Sequence, residues 1–408
     1  MEKSHSSSSP SITIHRGTRQ IGGVVTEISD GKSKVFIDIG ANLPDADFEV
    51  AELPPIDGLT VGNGENSKLF LTHYHGDHVG NLHLVMPGVP MFMGKTAKAL
   101  HLGLLKRMRK ENISIFDGVK TFEPLAKLAV GDIVVTPLMV DHSAFDAYMF
   151  VIEAGGKRIL HTGDFRTHGF RGGKTSKMLR TYAKNIDYII CEGTTLSRIN
   201  EKVMTESELQ QKAFKIMDGA KYTFVLASST NIDRIAAFCH AAHKADRIFV
   251  CDNYQKQQLE IVQENHKNKS SFYNFGKIYG VDAIERVPEK LQQCMEKKGF
   301  CMMVRTGDKF KPYLERFSND RAIVYSMWSG YLKGKTASAS IVDFLKPYDF
   351  TVLHTSGHAT ADALRELYEA VKPTCGVIPM HTIFPKMFEE IIPNDKIIYL
   401  NDGVRFNI

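Results

Sequence analysis

The sequence predicts an α/β protein: packed β-sheets flanked by helices, followed by a doubly wound parallel-sheet unit. Three observations carry that prediction. The first 198 residues read as short β-rich runs with few helices. From about Arg198 onward, helix-like and strand-like segments alternate. The length of 408 residues is too great for one ordinary domain and suits two.

In the first half, Ser11–His15, Val24–Ile28 and Lys34–Ile39 are β-rich runs separated by Gly and Asp turn signals. Lys68–Leu71, Met91–Met93, Ile133–Pro137, Tyr148–Ile152, Arg158–His161 and Tyr188–Cys191 continue the series, and their pairing is expected to be largely antiparallel. Leu100, Leu104 and Met108 recur at helical spacing and predict a helix over Thr96–Lys110. Beyond Arg198, helix-like Glu206–Met217 precedes strand-like Thr223–Ala227, and helix-like Ile232–Ala245 precedes strand-like Ile248–Cys251. The alternation runs on through Val287–Lys298, Cys301–Val304 and Ala322–Tyr325. Phe350–Leu353, Ala361–Ala370, Gly376–Pro379 and Ile397–Leu400 extend it toward the end.

Composition narrows the class. With 43% apolar and 24% charged residues the chain is neither disordered, collagen-like nor a simple coiled coil. The net charge of +5 permits an anionic partner without arguing for one. No apolar run is long enough to span a bilayer; Leu84–Met93 is broken by Pro87, Gly88 and Pro90. The first ten residues lack the apolar core of a secretory signal and are expected to be a frayed tail. Cys191, Cys239, Cys251, Cys294, Cys301 and Cys375 form no C-x-x-C pair. They read as reduced thiols of a cytoplasmic protein with no membrane partner. A core this large needs no metal to fold, so a metal site would serve chemistry.

The strongest chemical signal is Leu69-Phe-Leu-Thr-His73-Tyr-His75-Gly76-Asp77-His78. Four ligand-capable side chains fall within six residues, at a spacing that matches neither a helix face nor a strand face. It suits a loop leaving the buried strand Lys68–Leu71, with a helix starting near Asp77. Imidazole and carboxylate together suit Zn²⁺ or Mn²⁺. Further candidates sit at the ends of other β-rich runs: Asp38, His142, His161, Asp164 and His381. Asp38 follows three apolar strand residues, where a carboxylate is costly unless paired. Each of these alone would more often be a hydrogen-bonded strand terminus; their weight lies in the ensemble.

That ensemble resembles the metallo-β-lactamase superfamily, whose ordered motifs match Asp38, the His73/His75/Asp77/His78 cluster, His142, Asp164 and a late histidine. The resemblance implies an αββα sandwich with two divalent metal ions at one edge. His73, His75 and His142 would hold one ion, Asp77, His78 and His381 the other, and Asp164 would bridge. Asp38 would orient the cluster from behind. More than two hundred residues separate Asp164 from His381, far more than a closing hairpin needs. Cys191-Glu192-Gly-Thr-Thr195, Ser356-Gly357-His358-Ala359 and His381 resemble the signature of the β-CASP nucleases, and most closely the ribonuclease J family. Gly17-Thr-Arg-Gln-Ile-Gly22 adds to that likeness. The implied organisation is a metallo-β-lactamase domain over residues 1–198 and 348–408, interrupted by a β-CASP insert over residues 199–347. The chain departs from the family where Thr382 stands in place of a frequent glycine. It also stops at Ile408, without the family's usual C-terminal domain, which leaves a homo-oligomer open.

The resemblance implies a metal-dependent phosphodiesterase acting on single-stranded RNA, by 5′-exo or endonucleolytic cleavage. Two metals would acidify a water for in-line attack on phosphorus. The expected catalytic set is Asp77, as an ionised ligand, with Glu192 orienting His358 as general acid. Ser228, Ser229 and Asn231, and the loop Ser356, Gly357, His358 and Ala359, are expected at a phosphate or nucleotide pocket. The first group reads equally as a helix N-cap series. Lys106-Arg107-Met-Arg109-Lys110 is a further basic run that could meet a nucleic-acid backbone or simply end a helix. Competing readings are a β-CASP DNA nuclease, a non-catalytic nucleic-acid-binding protein and a small-molecule hydrolase. The first usually has valine where His381 stands. The second leaves a complete motif set unused, and the third leaves the insert unexplained.

Overall fold

The computed structural model describes residues 9–44, 46, 48–266 and 270–408. Most of the expected N-terminal tail, residues 1–8, therefore lies outside the described residues. The chain divides into two compact units: residues 1–167, 171–201 and 357–408 form one, and residues 168–170 and 202–356 form the other.

The first unit is a two-sheet sandwich. Strands β1 (Ser11–Arg16), β2 (Val25–Ser29), β3 (Lys34–Ile37), β4 (Ser67–Phe70), β5 (Met91–Gly94) and β6 (Val119–Phe122) lie side by side in chain order. The second sheet comprises β7 (Leu128–Val130), β8 (Ile133–Val140), β9 (Ala147–Ala154), β10 (Lys157–His161) and β11 (Tyr188–Glu192). The expectation of antiparallel pairing holds for only part of each sheet. β3 to β6 pair in parallel, as do β10 and β11. Long connections, such as the helix Lys95–Met108 between β5 and β6, permit that arrangement.

β9 shows why the two sheets stack. All but one of its residues are buried, because both of its faces are covered. Tyr148, Phe150 and Ile152 point into the core shared with Ile14, Val35, Phe70 and Phe122 of the first sheet. Ala147, Met149 and Val151 point the other way, into a core with Leu179 of the helix Thr175–Tyr182 and Leu364 and Leu367 of the helix Ala361–Val371. Truncating Phe150 to Ala would cost about 3–5 kcal/mol.

The second unit is a parallel sheet of β12 (Tyr222–Leu226), β13 (Ile248–Asp252), β14 (Ile278–Val281), β15 (Phe300–Val304), β16 (Arg321–Tyr325) and β17 (Thr351–Val352), in the order 14-13-15-12-16-17. β13 and β15 are buried along their whole length, as continuous apolar runs require. A Thr205/Glu208 capping box starts the helix Glu206–Gly219. The segment Phe350–Leu353, assigned above to the returning part of the sandwich, supplies β17, which pairs with β16 of this sheet. The chain returns to the sandwich at residue 357. There β18 (Gly376–Met380) joins β11, and β19 (Arg405–Asn407) joins β1. Ile397–Leu400, read as a strand, makes only an isolated bridge from Ile397 to Val377.

The fold is thus a metallo-β-lactamase αββα sandwich interrupted by a doubly wound β-CASP-type unit. All six cysteines are free thiols. Among the described residues, no helix is long and apolar enough to cross a membrane.

Candidate metal centre

The site forms in the sandwich unit, where the strands of both sheets end. β4 delivers Thr72 and His73, and the next turn opens the short helix Gly76–Val79, which carries Asp77 and His78. This turn packs so tightly that a β-carbon on Gly40 would stand 1.6 Å from the Asp77 carbonyl oxygen, so only glycine fits there. His142 follows β8, Asp164 follows β10, Glu192 ends β11 and His381 follows β18.

Ligand atoms gather in overlapping groups, each within 4.8 Å: His73, His75 and His142; Asp77, His78 and His381; His73, His78 and Asp164; and Asp164, Glu192, His358 and His381. Asp164 is common to two of them and stands 3.2 Å from His78 Nε2 and 3.8 Å from both His73 Nε2 and His381 Nδ1. His73 Nε2, His78 Nε2 and both Asp164 carboxylate oxygens are buried without a hydrogen-bond partner. Buried polar atoms nearly always make well-formed hydrogen bonds, so four that converge without one fit a site for a cation. The donors are nitrogen and oxygen, with no thiolate in any group, which fits Zn²⁺ or Mn²⁺.

Three of the imidazoles are oriented from behind. His78 Nδ1 donates to Asp38 Oδ2 at 2.7 Å, which leaves Nε2 facing inward. Asp38, at a left-handed φ of 59°, also accepts from the Thr72 amide and hydroxyl, each at 2.7 Å. His142 Nδ1 donates to the Gly357 carbonyl at 2.7 Å, and its Nε2 lies 3.2 Å from His75 Nδ1. His381 Nδ1 meets the Thr194 hydroxyl at 2.7 Å, and that hydroxyl donates to Glu192 Oε2 at 2.7 Å. Thr194 and Thr72 thus tie the ligands to the carboxylates. Neither role is legible in the sequence, because a hydroxyl beside a motif carries no signal of its own.

His358 Nδ1 lies 3.1 Å from Glu192 Oε2 and 3.5 Å from Asp164 Oδ2. Its side chain is 24% exposed, whereas those of His73, His78, His142 and His381 are at most 1% exposed. Glu192 is buried and also accepts the Phe165 and Ala359 amides. Burial disfavours the His358 cation, yet the Glu192 and Asp164 carboxylates outweigh it and raise its pKa to about 9. Burial and then neighbouring imidazoles hold His73 well below the ordinary range. His142 is lowered too, by burial and then by His75. Burial brings His75 to about 4 even against Asp77. Burial works against ionised Asp77, but His78 and the His381 hydrogen bond prevail and lower its pKa. Burial disfavours the His78 cation too, but Asp164, Asp38 and Asp77 outweigh it and raise its pKa. Neutral imidazoles and ionised carboxylates are the forms that bind cations, so a metal held there would displace the His78 proton.

Other predicted residues lie elsewhere. His161 is buried but in none of the groups; its ring nitrogens meet Thr26 and the Gly163 amide. Ser228, Ser229 and Asn231 form the loop between β12 and the helix Ile232–Lys244, in the interrupting unit. There Asn231 caps that helix through the Arg234 amide, and Ser228 bonds Thr230. Ser356 ends the same unit; its carbonyl accepts from His168. Gly357, His358 and Ala359 belong to the sandwich unit, where the Ala359 amide is already given to Glu192. Lys106, Arg107, Arg109 and Lys110 are at or just past the exposed C-terminal end of the helix Lys95–Met108, with Arg109 in a left-handed cap.

Fold and site together resemble those of the metallo-β-lactamase superfamily, as the motifs suggest. The family profile described as the beta-lactamase superfamily domain matches residues 63–233. Among individual proteins, the chain is 22% identical to ribonuclease J of Mycoplasma pneumoniae over 95% of its own length and 73% of that protein's. It is 23% identical to ribonuclease J of Helicobacter pylori strain B128 over 92% of its own length, and spans only 56% of that relative. Ribonuclease J of Mycobacterium tuberculosis is 22% identical across 97% of this chain. A crystal structure of a protein of unknown function from Enterococcus faecalis superposes over 98% of the chain with a TM-score of 0.74 at 19% identity, a likeness of fold.

Proposed function

We propose that the chain is a metal-dependent phosphodiesterase that hydrolyses single-stranded RNA, with the sandwich unit as its catalytic domain. The observation that carries this reading is a partly exposed acid beside a buried ligand cluster. His358, held by Glu192, stands 3.5 Å from the Asp164 carboxylate that two ligand groups share. His73, His75 and His142 would hold one divalent ion and Asp77, His78 and His381 a second, with Asp164 between them. Bound there, the ions would acidify water and neutralise charge building on the phosphoryl oxygens.

The chain's own groups do the rest. Glu192 and Asp164 keep a proton on His358 Nδ1. The other ring nitrogen, Nε2, then delivers its proton to the oxygen that leaves when the P–O bond breaks. Thr194 ties His381 to Glu192, so ligand and acid share one support. The similarity to ribonuclease J across more than nine-tenths of the chain supports RNA as the polymer.

The test uses purified protein with Zn²⁺ or Mn²⁺ and an Asp164→Ala control. Substrates are labelled single-stranded RNA with 5′-monophosphate or 5′-triphosphate ends and the matching DNA. Metal-dependent cleavage of RNA, lost in the control, is expected. Release of mononucleotides from the monophosphate form would define a 5′-exonuclease, and discrete internal fragments an endonuclease. No cleavage of either polymer by metal-loaded protein would overturn the reading.

A further inference from the structure

The interrupting unit carries a surface feature that the metal centre does not use. After β16 the chain runs through Trp328 and Tyr331, which are 37% and 42% exposed. Their ring centroids are 5.3 Å apart and the rings meet edge to face, at 85°. A β-carbon on Gly330 would stand 2.3 Å from the far edge of the indole, so the ring lies directly against bare glycine backbone. The loop is held in shape from within. Tyr325 Oη donates to the Trp328 carbonyl at 2.8 Å, Thr336 Oγ1 to the Gly330 carbonyl at 2.8 Å, and the Ser338 amide to the Tyr331 carbonyl at 2.9 Å.

The charged residues of the loop itself have one sign. Lys333 and Lys335 are exposed, and no acidic residue occurs from Ser326 to Val342. The loop leaves the carboxyl end of a parallel strand, the edge at which doubly wound sheets place their ligands. Pre-shaped exposed rings beside two exposed ammonium groups match one chemistry well. Unstacked bases lie on aromatic faces while the phosphates between them meet cations.

We propose that Trp328 and Tyr331, with Lys333 and Lys335, form a stacking platform that holds bases of single-stranded RNA on the interrupting unit. The proposal rests on the RNA reading above and adds a second point of contact, remote in sequence from the metal ligands. Gly330 positions the platform by leaving room for the indole.

Trp328 is the chain's one tryptophan, so its emission reports the platform alone. The whole protein, kept in chelator to suppress cleavage, is titrated with single-stranded RNA of about 12 nucleotides. Quenching is expected. Trp328→Ala and Tyr331→Ala should each weaken binding about 5- to 100-fold. Gly330→Ala should weaken it while both rings remain. Lys333→Ala and Lys335→Ala should each lower the salt slope by about 0.7. Hydrolysis of bis(p-nitrophenyl) phosphate by the metal-loaded variants should be unchanged, which also shows that they fold. RNA bound or cut with unchanged emission, and with full affinity in Trp328→Ala, would overturn the platform and leave the RNA reading standing. Equal quenching by duplex RNA would likewise reject stacking. Failure of the metal-loaded protein to bind or cut any single strand would reject both.

Discussion

Among the places where this molecule buries charge, two do so in opposite ways. In the interrupting unit, Arg234 and Glu206 are fully buried and fully satisfied. Arg234 Nε and Nη2 reach Glu206 at 3.0 and 2.9 Å, Nη1 reaches Ser326 Oγ at 2.8 Å, and Nη2 reaches the Thr355 carbonyl at 3.0 Å. In the sandwich, Asp164 is nearly as deeply buried, yet neither of its oxygens makes a well-aligned hydrogen bond. Its neighbours are imidazoles, the nearest being His78 at 3.2 Å, and a buried charge so loosely matched costs free energy. The closed network ties elements together, and the open one has the donor set a cation would complete.

The largest expected effect tests the open network. Asp164→Asn should lower metal-dependent cleavage by more than about 10³-fold, while the metal-free melting temperature moves little. A large loss of metal-free stability would mean that Asp164 is structural after all. Next, His358→Ala should slow cleavage about 10²- to 10⁴-fold with unchanged metal affinity, measured by calorimetric titration. A matching loss of metal would recast His358 as a ligand. Glu206→Ala, on the closed network, should destabilise by about 3–5 kcal/mol, because it strands a buried guanidinium; denaturant melts of the metal-loaded protein measure it. Thr194→Val, which breaks the hydroxyl link behind His381, should weaken metal binding by about 10- to 100-fold with little change in folding.

The smallest effect concerns pH. Burial, with neighbouring imidazoles adding, lowers His101 to about 4 and His161 to about 3. Both are neutral in the fold and take up protons near pH 6.5 once unfolded. Stability from these groups is therefore complete above about pH 6.5 and falls as pH drops toward 4 and then 3. His78 and His358, whose pKa values are raised, do not oppose this trend there, since below their unfolded values they are protonated in both states. His101→Phe, in an aromatic setting with Phe116 at 4.7 Å, should flatten the decline in metal-free protein. An unchanged slope would assign the acid sensitivity elsewhere.

What the sequence disclosed followed chain locality. The cluster from His73 to His78 was legible because four donors within six residues are rare by chance. Asp38 stood out as a carboxylate at the end of an apolar run. The alternating helices and strands after Arg198 revealed a parallel sheet because both faces of such strands are apolar. Pairings between distant segments were not legible. Nothing near Arg405 announces that it will edge β1, and nothing near Thr351 says which sheet it joins, since a two- or three-residue strand has no periodicity. The support from Thr194 was hidden for another reason: its value depends on where His381 arrives.

That arrival has a consequence for how the protein is made. Asp77 and His381, 3.3 Å apart in the fold, are 304 positions apart in the chain. At ribosomal rates of about 5–20 residues per second, roughly 15–60 s pass between the synthesis of one and the other. Throughout that interval the nascent chain holds only part of its ligand set. Whatever cutting power the finished site possesses, a ribosome translating this message does not yet face it.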